Sequence, residues 1–250
     1  MRIVFVLLIL LLPSVSQASS TSFTLNTNCP PSFELKDEKC YLVSQYQFYD
    51  SNQNRGVGGT QTALPKMNDG YSPQQIDLGR FLFFDPLLSK DGSLSCASCH
   101  QPDMGFSDDL DRSVGITGEK VGRSSPSLWN VGFLNKLFWD GRANTLEEQA
   151  SGPLFDAKEM GNSAENLLAT LNANQEYVTL FSRVYQTNDA ITLPQIVAAL
   201  SGFQASLISL NSRYDRYAHG YHDALNEQEI AGLNVFRSFV ARCSECHQPP

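Results

Sequence analysis

Two short stretches of the sequence carry the residue types of a covalently held redox cofactor. Cys96-Ala97-Ser98-Cys99-His100 and Cys243-Ser244-Glu245-Cys246-His247 each place two thiols three positions apart, with an imidazole directly after the second. This is the Cys-x-x-Cys-His pattern of c-type haem attachment. The chemistry explains the spacing: two thiols bond to the two vinyl positions of the porphyrin, and the adjacent imidazole then stands under the iron. Ligation by a proximal histidine permits peroxidase chemistry. A structural zinc site uses the same residue types, but its two Cys-x-x-Cys knuckles usually lie ~15–20 residues apart. Here the gap runs from Cys99 to Cys243, and each knuckle carries its own histidine. A redox Cys-x-x-Cys would not require a histidine in both copies. The reading is two covalently bound haem c groups, with His100 and His247 as iron ligands.

The other two cysteines, Cys29 and Cys40, have no histidine nearby. In an oxidising compartment this pair is expected to close a small loop as a disulfide, two free thiols being the alternative. Export is what the N-terminus suggests. Arg2 supplies a positive start, residues 3–12 are an unbroken apolar run, and Ser16-Gln17-Ala18 offers a small-x-small cleavage site. The run is about half of the ~20 residues needed to span a bilayer. Residues 1–18 therefore read as a secretory signal cut after Ala18, with the mature chain in the periplasm. No later segment is long and apolar enough to span, so no membrane contact is expected after cleavage. The net charge is -8 and the pI about 5.0. That excludes the basic face of a nucleic-acid binder. It is compatible with a basic electron-donor protein, although a solvated surface accounts for most of the charge.

Helices must position these sites. Residues 19–70 look irregular, with Pro30-Pro31 and a Gly56-Val57-Gly58-Gly59 cluster that lacks the context of a phosphate loop and reads as a linker. Ser72-Pro73-Gln74-Gln75 is a capping box with proline in its first turn, opening a helix to about Phe84 that stops at Asp85-Pro86. Residues 85–132 are rich in Gly, Ser, Asp and Pro and are expected to be loops wrapped around a haem. Thr145-Leu146-Glu147-Glu148 opens a short helix ending near Gly152-Pro153, and Ser163 caps another through about Asn172. Thr192-Leu193-Pro194-Gln195 opens the longest, with Ile196, Val197, Leu200, Phe203, Leu207 and Leu210 in helical period. A last helix over about 227–240 leads into the second haem motif. No convincing strand is found, so the class is all-α. Gln75, Gly79 and Phe83 before the first motif recur as Gln228, Gly232 and Phe236 before the second, each shifted by 153 positions. These matches fit two tandem cytochrome c-like domains.

Segments around the motifs make a more specific pattern. Ser95 to His100 is followed by Gly105-Phe106-Ser107-Asp108, Gly122-Arg123-Ser124-Ser125-Pro126-Ser127-Leu128, Leu137-Phe138-Trp139-Asp140-Gly141-Arg142-Ala143, Leu146-Glu147-Glu148-Gln149-Ala150, Gly152-Pro153 and Glu159-Met160. In order and spacing this resembles the di-haem cytochrome c peroxidase family, including the MauG-type enzymes, from about Tyr71 onward. The resemblance implies an N-terminal peroxidatic haem domain over residues 71–222 and the start of a C-terminal electron-transfer haem domain over residues 223–250. The second domain is expected to be truncated, because enclosing a haem needs more chain than follows His247.

The resemblance also implies roles. Hydrogen peroxide would be reduced to water at the first haem, with electrons relayed through the second from a small cytochrome c or cupredoxin. The inter-haem tryptophan falls on Trp139, the distal-pocket glutamine on Gln149 and the catalytic glutamate on Glu159. Peroxide cleavage needs such an acid/base within reach of the distal oxygen. Taken alone, Trp139 would be a core anchor, Gln149 an ordinary helix residue and Glu159 a solvated charge. Pro153 matches a pocket proline of MauG-type members, and Arg142 would pair with a haem propionate or cap local structure. Two alternatives stand beside the peroxidase: a MauG-type oxidase that modifies tryptophan or tyrosine of a partner protein, and a non-enzymatic electron carrier. A homodimer is compatible with the family. So is an inter-domain calcium, whose ligands cannot be placed; Ser124 stands where asparagine is common.

One departure from the family bears on reactivity. Many members carry a distal histidine on a loop after the first motif; the matching position here is Ile116, within Gly115-Ile116-Thr117-Gly118. Of the four histidines, His100 and His247 are the proximal ligands, and His219 and His222 are expected at the surface. The first haem is therefore expected to be five-coordinate and open. The family's methionine ligand of the second haem would lie beyond His247, and none of Met1, Met67, Met104 or Met160 does.

Overall fold

A computed structural model describes residues 23–44, 49 and 64–247. The expected signal segment and the Gly56–Gly59 cluster lie outside these residues. Three helices make the frame. The first, α1 (Pro73–Phe84), starts where the Ser72 hydroxyl accepts the Gln75 N–H at 3.1 Å, and it buries Ile76, Leu78, Leu82 and Phe83. The one-turn α2 (Cys96–Cys99) and α3 (Leu146–Phe155) follow, the latter capped by Thr145. Then come α4 (Ala164–Ala173), capped by Ser163, and α5 (Gln175–Tyr185). The longest, α6 (Leu193–Ala205), crosses α1 on one side and meets α3 on the other. Burying a side chain such as Leu78 or Phe83 completely contributes about 1.5–3 kcal/mol relative to exposing it.

Gly79 permits the α1–α6 crossing. A Cβ at that position would sit 1.9 Å from the carbonyl oxygen of Ala199 and 2.9 Å from Cβ of Phe203. The two backbones touch, and only glycine lets them.

Several elements differ from expectation, each for a local reason. Phe33–Lys36 and Lys39–Leu42 form an antiparallel hairpin, β1–β2, in a stretch read as irregular. Its turn residues Asp37 and Glu38 both have positive φ, a conformation that an Asn-Gly or Asp-Gly pair would have signalled. A Cys29–Cys40 disulfide and the Cys40 N–H bond to the Tyr71 carbonyl (2.8 Å) fasten the hairpin. Helix α3 passes through Pro153 instead of ending there. Proline has no N–H, so the Gln149 carbonyl loses its helical donor, which a helix tolerates at a cost. Helix α5 was not anticipated: Asn174 ends α4 and caps α5, leaving no linker to read. Its signal was Tyr177, Leu180, Phe181 and Val184 at helical spacing. Helix α6 stops at Ala205, short of Leu207 and Leu210, because Asn130 draws the chain away: its N–H bonds the Leu207 carbonyl and its side chain holds both backbone groups of Ser209.

After α6 come α7 (Arg213–Ala218) and α8 (Glu227–Phe236), tied by a bidentate Arg213–Glu229 pair. The last helix is shorter than expected, ending at Phe236. His222 is exposed, but His219, expected at the surface, is buried and stacks on Tyr49 with ring centroids 4.2 Å apart. Among the described residues no helix is long and apolar enough to cross a membrane.

Candidate functional site

Ser95 caps the turn that carries Cys96 and Cys99, reciprocally with Ser98. The chain then doubles back: the Gln101 N–H bonds the Ser107 carbonyl and the Phe106 N–H bonds the Gln101 carbonyl, both at 2.8 Å. Closing that loop puts both Gly105 and Phe106 in the left-handed region, φ 66° and 57°. Glycine takes this conformation freely; for phenylalanine it is a strained state held by its surroundings. The result is useful, since it aims the Phe106 carbonyl at His100 Nδ1, 2.9 Å away. A carbonyl can only accept, so Nδ1 carries the proton and Nε2 keeps its lone pair for a metal. Burial holds the His100 pKa below its ordinary value, which keeps the ring neutral, as ligation requires.

More of the lining comes from the end of α3 and the loop behind it. Residues 156–162 fold back on the helix: Met160 N–H bonds the Pro153 carbonyl, and Asn162 N–H bonds that of Leu154. The Gly115–Gly118 loop clamps this segment, with the Ile116 N–H on the Glu159 carbonyl at 2.9 Å. Gly115 lies so close that a Cβ there would be 1.7 Å from the Lys158 carbonyl oxygen. Glu159 is half-buried, and burial raises its carboxyl pKa, with Asp156 adding to the effect and Arg142 opposing it.

Both segments line a cavity of about 810 Å³, within the usual range for cofactor sites. Cys96, Cys99 and His100 line it, and so do Trp139, Gln149, Pro153 and Glu159. The tertiary structure thus brings together every site residue expected around the first motif. The lining suits a haem: apolar side chains such as Phe83, Leu128 and Leu200 match a porphyrin, and Arg123, Lys136 and Arg142 match its anionic propionates. Burial pushes the pKa of the free Cys96 thiol up to about 12.

Three features were not legible beforehand. The Phe106 carbonyl that holds His100 is a backbone group and has no residue-type signal. Arg123 and Lys136 reach the cavity from loops, where sequence period says nothing. Ile116 does not line the cavity; its side chain packs over Gly161. Trp139 is 62 % exposed and donates its indole N–H to the Ser124 carbonyl at 3.0 Å. Its neighbour Phe138, also at positive φ, stacks under the Arg142 guanidinium, 3.4 Å from the ring centroid. Arg142 in turn donates from Nη1 to both carboxylate oxygens of Asp140, at 2.9 Å each. The second motif stands apart from this cavity: Cys243 is half-buried, and Cys246 and His247 are exposed.

Comparison with known proteins bears on the same segment. Residues 73–223 match the family described as di-haem cytochrome c peroxidase. The chain is 36% identical to a cytochrome c551 peroxidase of Nitrosomonas europaea, over 72% of this chain and 54% of the relative. It is 37% identical to the methylamine utilization protein MauG of Methylorubrum extorquens, over 73% of this chain and 51% of the relative. The chain spans about half the length of these curated relatives. Among solved structures, a MauG-like protein associated with microbial copper homeostasis superposes with a TM-score of 0.68 at 33% identity, covering 77% of this chain and 58% of that one. The diheme peroxidase BthA from Burkholderia thailandensis superposes at 0.64 with 29% identity, covering 78% of this chain and 56% of its own.

Proposed function

Because the chain belongs to the di-haem cytochrome c peroxidase family, whose members carry haem c, we propose that it reduces hydrogen peroxide to water at the cavity between His100 and Glu159. One observation carries the reading: a single cavity is lined by two thiols, an imidazole whose Nδ1 meets a backbone carbonyl, a half-buried carboxyl and an amide. Cys96 and Cys99 would hold the haem, which would supply the redox-active iron. His100 would hold the iron through Nε2, its tautomer set by the Phe106 carbonyl. Glu159 takes the proton from the near peroxide oxygen and returns it to the far one, which leaves as water. Gln149 orients the peroxide through its amide. Trp139, at the exposed rim of the cavity, would pass electrons inward from a second haem, which Cys243, Cys246 and His247 would hold. A small cytochrome c or cupredoxin in the periplasm is the donor; the N-terminal signal pattern, the disulfide and the acidic charge support that setting.

Haem attachment is tested first. In protein matured in a cytochrome c-competent host, acid-acetone extraction is expected to leave haem on the polypeptide. Cys96→Ala with Cys99→Ala is expected to remove one haem and abolish the reaction with peroxide. A colourless, zinc-containing protein would overturn the reading, and so would holoprotein that consumes no peroxide with a reduced cytochrome donor.

Openness of the site is the next expectation. The oxidised holoprotein should show a high-spin ferric component and react with peroxide without prior reduction of the second haem. A wholly low-spin spectrum, with activity only after one-electron reduction, would mean that a cavity side chain closes the site; Met160 is the one to replace first. Ile116→His is expected to leave the spectrum unchanged. Its loop is pinned by the Glu159 carbonyl and by the Gly115–Lys158 contact, with the side chain directed at Gly161.

A further inference from the structure

The two tryptophans of the chain stand differently toward the His100 site. Trp139 lines the cavity. Trp129 does not, although Leu128 beside it does: its indole turns outward and is 43 % exposed. Its inner edge meets the ring of Phe106, with centroids 5.4 Å apart and planes at 85°. That is close edge-to-face contact with no room for a water between the rings. Phe106 is the residue whose carbonyl holds His100 Nδ1 at 2.9 Å. Surface indole, phenyl ring, backbone carbonyl and proximal imidazole thus form one contiguous series. The strained φ of Phe106 serves both contacts at once, since the same turn aims the carbonyl at His100 and seats the buried ring between Phe83 and Trp129.

We propose that Trp129 is a surface electron-exchange site at which small electron-rich aromatic molecules, phenols and hydroquinones, are oxidised by the His100 site without entering its cavity. The inference rests on the peroxidase reading and adds a second substrate class to it. Indole is among the most easily oxidised side chains. Electrons also pass more readily through packed atoms and hydrogen bonds than across gaps. Exposed indole offers an aromatic reductant a flat face for ring contact. The balance is one hydrogen peroxide with two phenols giving two waters and two phenoxyl radicals. Each phenol loses one electron and one proton. The peroxide O–O bond breaks, and its oxygens take up both electrons and both protons.

The test uses the holoprotein with both haems and guaiacol as the phenol. In Trp129→Phe, which keeps a ring against Phe106, guaiacol oxidation is expected to fall at least about tenfold, a barrier rise of roughly 1.4 kcal/mol. Turnover with a reduced cytochrome donor, and the peroxide-induced change in the haem spectrum, are expected to stay as in the wild type. A second readout is independent of turnover. With peroxide and no reductant, mass spectrometry of peptides is expected to find added oxygen on Trp129, suppressed when guaiacol is present. Equal guaiacol rates in wild type and variant would overturn the proposal while leaving the peroxidase reading intact. Added oxygen on Trp139 with Trp129 untouched would do the same. A wild-type haem spectrum that ignores peroxide would overturn both.

Discussion

Glu159→Gln is expected to keep the fold and both haems but to slow the reaction with hydrogen peroxide about 10²–10⁴-fold, the range for loss of a general acid/base. The replacement is nearly isosteric. The Glu159 backbone contact to Ile116 is unaffected, and no ion pair ties its carboxylate down among the described residues. What changes is the ability to take and return a proton. The pH profile makes the assignment specific. Burial, reinforced by Asp156 and opposed by Arg142, raises the Glu159 pKa. The carboxyl therefore stays protonated to higher pH than an ordinary glutamate, and as a base it works only after losing that proton. The wild-type rate should rise with pH through a midpoint higher than that of an unperturbed glutamate, and Glu159→Gln should lack that limb. Stopped-flow absorbance at the haem Soret band reads both. An unchanged rate, or an unchanged profile, would return Glu159 to the status of a half-buried charge.

Gly79→Ala is expected to destabilise the protein by about 3 kcal/mol or more, the upper end of overpacking costs. The added methyl would meet a helix carbonyl, Ala199 O, at 1.9 Å, and Phe203 Cβ at 2.9 Å. Neither is the movable tip of a long side chain. The helices must separate, and separation opens the contacts of Phe83 with Phe203. Phe83 and Leu200 also line the cavity, so part of the loss should appear as weaker haem retention. Thermal or denaturant unfolding of the holoprotein measures the first effect, and haem content after purification the second. An alanine variant as stable as the wild type would mean that α1 and α6 do not cross as closely as described.

Local rules written into consecutive residues were legible in advance. Ser72, Thr145, Ser163 and Thr192 sit where side-chain oxygens satisfy the free N–H groups of a helix start, and each begins a helix. Cys96, Cys99 and His100 are adjacent in the chain, so covalent geometry alone brings two thiols and an imidazole to one spot. Where several weak local choices competed, reading failed. Pro153 suggested a helix end, but the fold-back of residues 156–162 holds the last turn of α3 through bonds that a single stretch cannot reveal. His219 offered no apolar period to mark it, yet the stack with Tyr49 buries it.

The site divides along the same line. By itself the sequence determined the attachment chemistry, the helix starts and, through its likeness to a known family, which glutamate and glutamine to watch. Only the tertiary structure decided that Glu159, Gln149 and Trp139 face one cavity with His100, that Ile116 turns away from it, and that Trp129 reaches the imidazole through Phe106. The physical reason is range. A cap or a Cys-x-x-Cys-His motif is enforced by bonds over a few residues, whereas the cavity depends on close approaches at Gly115 and Gly79, each needed only because a backbone distant in sequence passes where a side chain would stand.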